Sequence, residues 1–375
     1  MDFFTPVVEE AKQNKNFKSV LAGFRAAERE LFTEWAKGFE DRDGKIVKEF
    51  QTTFNSSFWE VYLHACFREY GFSQDWKNAT PDFCLSSNGY EFIVEATTGN
   101  AAQGKPNEWD KTYSPEELKS VRRFRDLNKE AVIRLSNAIV GKARRYDEFY
   151  KTLSYVQGKP FVIAVAPYEQ PHFNLQYDRP IRALLYDYYV DEDAYLDNPA
   201  LYPNGPPAIN LGYVEKENGS EVPLGIFDSS EMIDVSAVVF SCVATWGKLS
   251  AMSTNNETVT QVMSLWATPP LGVPEERVGP PSECGETILD GLQVFHNPNA
   301  KFPLSPEGNS EKDFLIWQNT ATPPTEFPDE ADDLRRRRVR WQAQANPQGV
   351  VPDRDGSGGA VEGLDCFDRA TLSER

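Results

Sequence analysis

Two acidic residues flank a short segment of the chain, and their spacing suggests a shared chemical role. Within TPDFCLSSNGYEFIVEATTGN, Asn88-Gly89 separates two apolar runs, which is typical of a two-residue type I′ hairpin turn. Counting outward from that turn, Asp82 faces Glu95. Facing residues of an antiparallel pair share one side of the sheet, with their Cβ atoms about 4.5–5.5 Å apart. The spacing therefore predicts two carboxylates side by side.

Two such carboxylates repel each other unless a cation compensates them. Mg²⁺ suits the task because it is bound by one or two carboxylates, water and substrate phosphate, and Mn²⁺ is an alternative. A competing interpretation makes Asp82 the start of a turn and Glu95 a solvent-facing strand residue. Glu95, however, lies in the apolar run FIVEATT, where an uncompensated charge is unfavourable. A register slip of one residue would place the two acids on opposite faces.

A third carboxylate, Glu60, lies in NSSFWEVYLHACFREYGF, which is typical of an amphipathic helix ended by Gly71. It could join the two acids of the hairpin. Ser57 to Glu60 also fits a capping box, in which Glu60 would only accept a backbone hydrogen bond. His64 lies one turn further on the same face, where packing explains it as well as a place in the site does.

A lysine interrupts an apolar stripe further along the chain. Leu135, Ile139, Lys142, Tyr146 and Phe149 follow helical steps of three and four residues. A lysine in a core-facing stripe needs an acidic partner or a route to solvent. The sequence leaves both interpretations of Lys142 open.

The elements that would position these residues suggest an α/β protein with a mixed β-sheet flanked by helices. Residues 1–50 are predicted to be a helical N-terminal segment, and residues 51–170 to run helix, strand, hairpin, long helix and buried strand (160–167). Residues 171–268 would continue this unit, with a helix at 177–190 and a strand at 235–244. Residues 269–375 are a Pro- and Gly-rich extension, and its tail from about 343 is predicted to be mobile.

Glu60 on a helix, followed by Pro81-Asp82 and then Glu95-Ala96-Thr97, resembles the PD-(D/E)XK, or restriction-endonuclease-like, nuclease superfamily. The resemblance covers roughly residues 50–170. It implies that Glu60, Asp82 and Glu95 bind Mg²⁺ for phosphodiester hydrolysis, in DNA more than in RNA, and it is compatible with bacterial or antiviral defence. The pattern has a lysine two residues after the second acid, where this chain has Thr97. Lys142 is the candidate replacement.

Charge is distributed unevenly along the chain. The formal net charge is −18, yet residues 119–146 carry nine Lys and Arg against two acids. This basic stretch predicts contacts to nucleic-acid phosphates, unless it is simply a solvated helix face. The predicted phosphate-binding residues are Arg122, Arg123, Arg125, Arg134, Arg144 and Arg145.

Other function classes are less favoured by the sequence. No apolar stretch reaches the roughly 18 residues of a membrane span, and the N-terminal residues do not resemble a signal peptide. Five scattered cysteines without a CxxC pair favour a cytoplasmic protein and argue against structural zinc. The main alternative to a nuclease is a non-catalytic, nuclease-like module that binds nucleic acid or a protein partner. Residues 170–330 could instead form a regulatory or partner-binding region, and homo-oligomerisation stays open.

Overall fold

The hairpin predicted from Asn88-Gly89 is present and forms two adjacent strands of the main sheet. In the computed structural model both residues have positive φ, 51° and 80°. The two flanking strands pair antiparallel from Ser87 with Tyr90 to Phe83 with Val94, which confirms the predicted register. The structure describes residues 1–110, 124–253, 261–266, 275–304 and 340–342. All of them belong to one compact unit, Met1–Gln344.

The described strands are β1 (Ser73–Gln74), β2 (Phe83–Ser87), β3 (Tyr90–Asn100), β4 (Phe161–Tyr168), β5 (Tyr189–Val190), β6 (Ala208–Ile209), β7 (Tyr213–Glu215), β8 (Glu221–Pro223), β9 (Val235–Phe240), β10 (Val262–Trp266), β11 (Glu275–Gly279), β12 (Gln293–His296) and β13 (Arg340–Gln342). The described α-helices are α1 (Lys15–Val20), α2 (Ala26–Trp35), α3 (Ile46–Thr52), α4 (Asn55–Glu69), α5 (Phe124–Glu148), α6 (Arg179–Tyr186), α7 (Glu192–Asp197), α8 (Trp246–Met252) and α9 (Pro281–Cys284). Short 3₁₀ turns connect several of them, including Tyr150–Thr152 directly after α5.

The main sheet of the described residues has the strand order β1-β2-β3-β4-β9-β12. Strands β3, β4 and β9 are mutually parallel, whereas the outer pairings are antiparallel. Strands β4 and β9 are buried along their whole length. Continuous apolar runs of this kind are typical of parallel strands covered on both faces.

Helices cover both faces of this sheet. On one face Tyr146 of α5 stacks on Phe161 of β4, with ring centroids 4.4 Å apart. On the other face Trp59 of α4 donates a hydrogen bond of 3.1 Å to the carbonyl of Ala164. The chain is therefore a mixed α/β protein with a helix-flanked sheet, as the sequence predicts.

The other predicted elements are present with shifted bounds. Strands predicted at 160–167 and 235–244 are β4 and β9, and the helix predicted at 177–190 is α6. The region predicted to be a C-terminal extension also contributes β12 to the main sheet. The tail beyond residue 343 lies outside the described residues. No described helix is long and apolar enough to span a membrane.

Candidate active site

Asp82 and Glu95 meet beside the start of β2. The first pair of β2 with β3 joins Phe83 to Val94, and Asp82 directly precedes it in the chain. Its Oδ2 accepts a hydrogen bond of 2.8 Å from the backbone N–H of Ala96. Its own backbone N–H lies 3.3 Å from Oε2 of Glu95. The two acids are therefore adjacent, as the hairpin register predicts.

The carboxylate of Glu95 has two close partners from the region of α5. Lys142 Nζ lies 2.6 Å from Oε1 of Glu95, and the hydroxyl of Tyr150 donates to the same oxygen at 2.7 Å. The Glu95 side chain is only 4% exposed, whereas that of Lys142 is 28% exposed. Lys142 thus has the acidic partner that its place in the apolar stripe requires.

Ionisation of these partners follows from their surroundings. Burial opposes the charge of Lys142, but the nearby Glu95 carboxylate outweighs it, so the pKa of Lys142 lies above its ordinary value. Burial, reinforced by the charge of Glu95, also raises the pKa of Tyr150. Lys142 is therefore a cation at neutral pH and Tyr150 a neutral hydrogen-bond donor.

The capping-box interpretation of Glu60 is wrong. Helix α4 begins at Asn55, after Phe54 with a φ of 60°, and no side chain caps it. Ser57, the predicted cap, lies inside the helix, and its buried hydroxyl makes no hydrogen bond within the described part of the chain. Glu60 therefore lies in the second turn of α4, too far along to cap its first N–H groups.

Glu60 is electrostatically linked to Asp82. Burial is the main reason that the pKa of Glu60 rises to about 8, and the negative charge of Asp82 is the next. Burial and the charge of Glu95 likewise raise the pKa of Asp82 to about 6, although Lys142 opposes this. Glu60 and Asp82 thus have less positive charge around them than their full ionisation requires.

This charge shortage fits a divalent cation, but the ligand set is incomplete as it stands. Within the described ranges, no three His, Cys, Asp or Glu side chains are grouped so that they could hold a metal ion. Glu95 directs Oε1 toward Lys142 and Tyr150. Mg²⁺ is commonly bound by one or two protein carboxylates besides water and substrate oxygens, so the arrangement is compatible with binding by Asp82 and Glu95 with help from Glu60. The predicted three-carboxylate site stays a prediction.

The site borders the edge of β3 that faces away from β4, and after Val94 this edge has no strand partner in the described part of the chain. Thr97 and Thr98 are half-buried along this stretch. Thr97 is the residue that stands at the motif lysine's position, and Lys142 reaches the neighbouring Glu95 from α5 instead. A ligand could approach the carboxylates along this open edge.

The predicted phosphate-binding arginines differ in their availability. Arg144 and Arg145 are exposed on α5, and Arg145 also lies 5.0 Å from the ring centre of Phe149. Arg134 pairs with Glu130 at 2.8 Å. Arg122 and Arg123 lie outside the described residues.

Arg125 is engaged elsewhere. Its guanidinium donates to both oxygens of Asp191, at 3.2 and 2.6 Å, and its backbone N–H donates to Asp193. Asp191 thus neutralises one cation of the basic stretch. A phosphate contact by Arg125 would require this ion pair to open.

His64 does not join the site. Its Nδ1 lies 2.9 Å from Oε1 of Gln74, and its Nε2 lies 2.8 Å from the carbonyl of Lys37. The buried ring is therefore a packing residue that ties α4 to β1 and to the N-terminal segment.

Tyr150 is a residue of the site that no sequence pattern singled out. Its only signal is that it follows the apolar stripe of α5 directly.

Comparisons with known proteins identify no family for this chain. No family model matches it, and neither a curated protein nor a solved structure is significantly similar to it.

Proposed function

We propose that this chain is a metal-dependent nuclease with a restriction-endonuclease-like core, which hydrolyses phosphodiester bonds in DNA in preference to RNA. The contact of 2.6 Å between Lys142 and Glu95 carries the proposal. It supports the idea that Lys142 of α5 takes the role of the motif lysine, whose position in this chain is occupied by Thr97. The order of elements also supports a restriction-endonuclease-like core: helix α4 comes before the hairpin that carries the two acids, and β4, parallel to β3, comes after α5.

Each side chain has a role in this proposal. Asp82 and Glu95 would hold Mg²⁺ or Mn²⁺, with Glu60 assisting. The bound ion would supply Lewis-acid activation of water and of the phosphate. Lys142 would orient the attacking water or stabilise negative charge that develops on the phosphate. Tyr150 would keep Glu95 in place while Lys142 contacts the substrate.

Affinity for the polymer would come from the exposed arginines of α5. Arg144 and Arg145 would contact phosphates, which gives binding without sequence recognition. Because these contacts displace counterions from the phosphates, we expect this binding to weaken as salt rises, and the net charge of −18 keeps the affinity low by repelling the polyanion.

The second candidate is a nuclease-like binding module without catalysis. Thr97 at the lysine position favours it, as does the lack of a complete three-carboxylate group among the described residues. Such a module would retain nucleic acid through Arg144 and Arg145 but would leave it intact. Only a cleavage assay separates the two candidates.

The deciding experiment incubates the full chain with plasmid, linear duplex, single-stranded DNA and RNA, in Mg²⁺, Mn²⁺ or EDTA. Glu95→Gln is compared with Glu91→Gln, a matched control because Glu91 is exposed on the same strand and pairs with Lys159. We expect metal-dependent cutting by the wild type and by Glu91→Gln, and none by Glu95→Gln. Retained nucleic-acid binding without cutting by the folded wild type would favour the binding module.

A further inference from the structure

A single guanidinium contacts the loop that carries Asp82 at three backbone carbonyls. Arg42 donates to the carbonyl oxygens of Asn78, Pro81 and Asp82, the last two at 3.3 and 2.9 Å. The first contact, from Nη1, is shorter still. Arg42 comes from the N-terminal segment, outside the region of family resemblance.

The three contacts place the negative ends of three carbonyl dipoles around one point. Without a cation there, these oxygens would repel one another and the loop would turn them elsewhere. A guanidinium is suited to this place because its planar fork presents five N–H donors in fixed directions. Lysine would supply the charge but not the fork.

The backbone that carries Arg42 is itself held in place. The side chain of Asp41 accepts hydrogen bonds from the N–H groups of Lys45 and Ile46, at the start of α3. The guanidinium of Arg42 also lies 5.6 Å from the ring centre of Trp76. Arg42 is therefore fixed on one side by α3 and on the other by the loop.

The Asp82 loop depends on such outside contacts because it precedes Phe83, the first residue of β2 that pairs with β3. Apart from Arg42, the hydroxyl of Tyr155 donates to the carbonyl of Thr80 at 2.6 Å. The Asp82 carboxylate then reaches the N–H of Ala96. Any shift of the loop would alter this contact first.

We infer that Arg42 is a positioning residue of the site: it holds the Asp82 carboxylate against β3 through the carbonyls of residues 78, 81 and 82. The reason for holding Asp82 rests on the proposed function, because a metal ligand must be fixed in position. The geometry of the contacts is independent of that function. Positive charge at Arg42 also helps to keep the pKa of Asp82 from rising further.

The test measures hydrogen exchange of the Ala96 amide in the full chain for Arg42→Ala, Arg42→Lys and Arg68→Ala. Arg68 is a matched control because its guanidinium also donates to backbone carbonyls, those of Lys37 and Glu34, without contacting the Asp82 loop. We expect exchange at Ala96 to be at least about tenfold faster in Arg42→Ala and unchanged in Arg68→Ala. Ile93 lies on the same strand as Ala96 and donates its N–H to the carbonyl of Pro160, so exchange at Ile93 should stay as in the wild type.

Chemical rescue separates positioning from general loss of structure. Millimolar guanidinium chloride should slow Ala96 exchange again in Arg42→Ala, whereas equal sodium chloride should not. Arg42→Lys keeps the charge and serves as the test variant if Arg42→Ala does not fold. Its Ala96 amide should still exchange faster than that of the wild type. Unchanged Ala96 exchange in the folded Arg42 variants, or equal acceleration by Arg68→Ala, would overturn the inference.

Mn²⁺ affinity, measured by calorimetry on the same proteins, tests the proposed function separately. We expect Arg42→Ala to bind Mn²⁺ about tenfold more weakly, a loss of about 1.4 kcal/mol. If the wild type binds no Mn²⁺, the metal part of the proposed function fails, while the Ala96 exchange rates still decide the role of Arg42.

Discussion

Replacing Glu60 with glutamine should remove a pH-dependent loss of stability that the native chain carries. The pKa of Glu60 is raised from 4.5 to about 8, first by burial and then by Asp82. Between these two values the folded chain retains a proton that the unfolded chain has released. Stability therefore falls as pH rises through this range, because the unfolded state binds fewer protons. Glutamine stays neutral and avoids the loss.

The size of the effect follows from the shift. At about 1.4 kcal/mol per pKa unit, the rise from 4.5 to about 8 has a ceiling of about 5 kcal/mol. Glu60 is half-buried and keeps some contact with solvent, so we expect about 2–4 kcal/mol. Glu60→Gln should therefore match the wild type near about pH 5 and exceed its stability by that amount near about pH 9.

Urea unfolding across this pH range, in EDTA, measures the difference. Glu69→Gln is the matched control, since Glu69 is exposed at the end of the same helix. Parallel stability curves for the wild type and Glu60→Gln would refute the reasoning, because Glu60 would then ionise equally in the folded and unfolded chains. A gain of the same size in Glu69→Gln would assign the effect to overall charge.

Three further predictions concern the partners of Glu95 and the proposed ion. Lys142→Gln should lower the cleavage rate by about 100-fold or more with little change in KM. Lys151→Gln changes a lysine of an exposed ion pair and should leave both the rate and KM unchanged. Steady-state kinetics measure the difference, and equal activity of the two variants would remove Lys142 from the mechanism. Tyr150→Phe should destabilise the fold by about 1 kcal/mol and weaken Mn²⁺ binding in calorimetry. Tyr186→Phe also loses a hydroxyl hydrogen bond, that to the carbonyl of His296, but should bind Mn²⁺ more tightly than Tyr150→Phe; the reverse order would contradict a role of Tyr150 in holding Glu95. Mg²⁺ at a concentration of 100 times its Kd should raise the free energy of unfolding by about 2.7 kcal/mol. Asp82→Asn should abolish this gain. A melting temperature of the wild type that Mg²⁺ leaves unchanged would argue against binding of the ion.

The sequence predicted the local part of the site well because local rules determine it. The Asn88-Gly89 turn sets the register, and the register places Asp82 beside Glu95. Helical periodicity places Lys142 on the buried side of α5, where an acid is needed. Turn chemistry and periodicity act over a few residues, so one sequence is enough to show them.

The sequence did not show contacts that depend on distant parts of the chain. The positive φ of Phe54 starts α4 earlier than a capping-box pattern indicates. Arg125 is taken up by Asp191, 66 positions later, which no local pattern indicates. Arg42 reaches the Asp82 loop across 40 positions. Such pairings depend on tertiary packing, which overrides local preference.

The place of β12 has a consequence for synthesis and for shortened versions of the protein. Strand β9 is wholly buried, and among the described strands its outer edge is paired by β12 alone, which the ribosome makes more than fifty residues later. Until then, an apolar strand edge is available to other chains, and such edges promote aggregation. A chain cut near residue 268, at the boundary that the sequence suggests, would keep Asp82, Glu95 and Lys142 but would expose this edge permanently. A shortened version meant to carry the candidate site should therefore extend through His296.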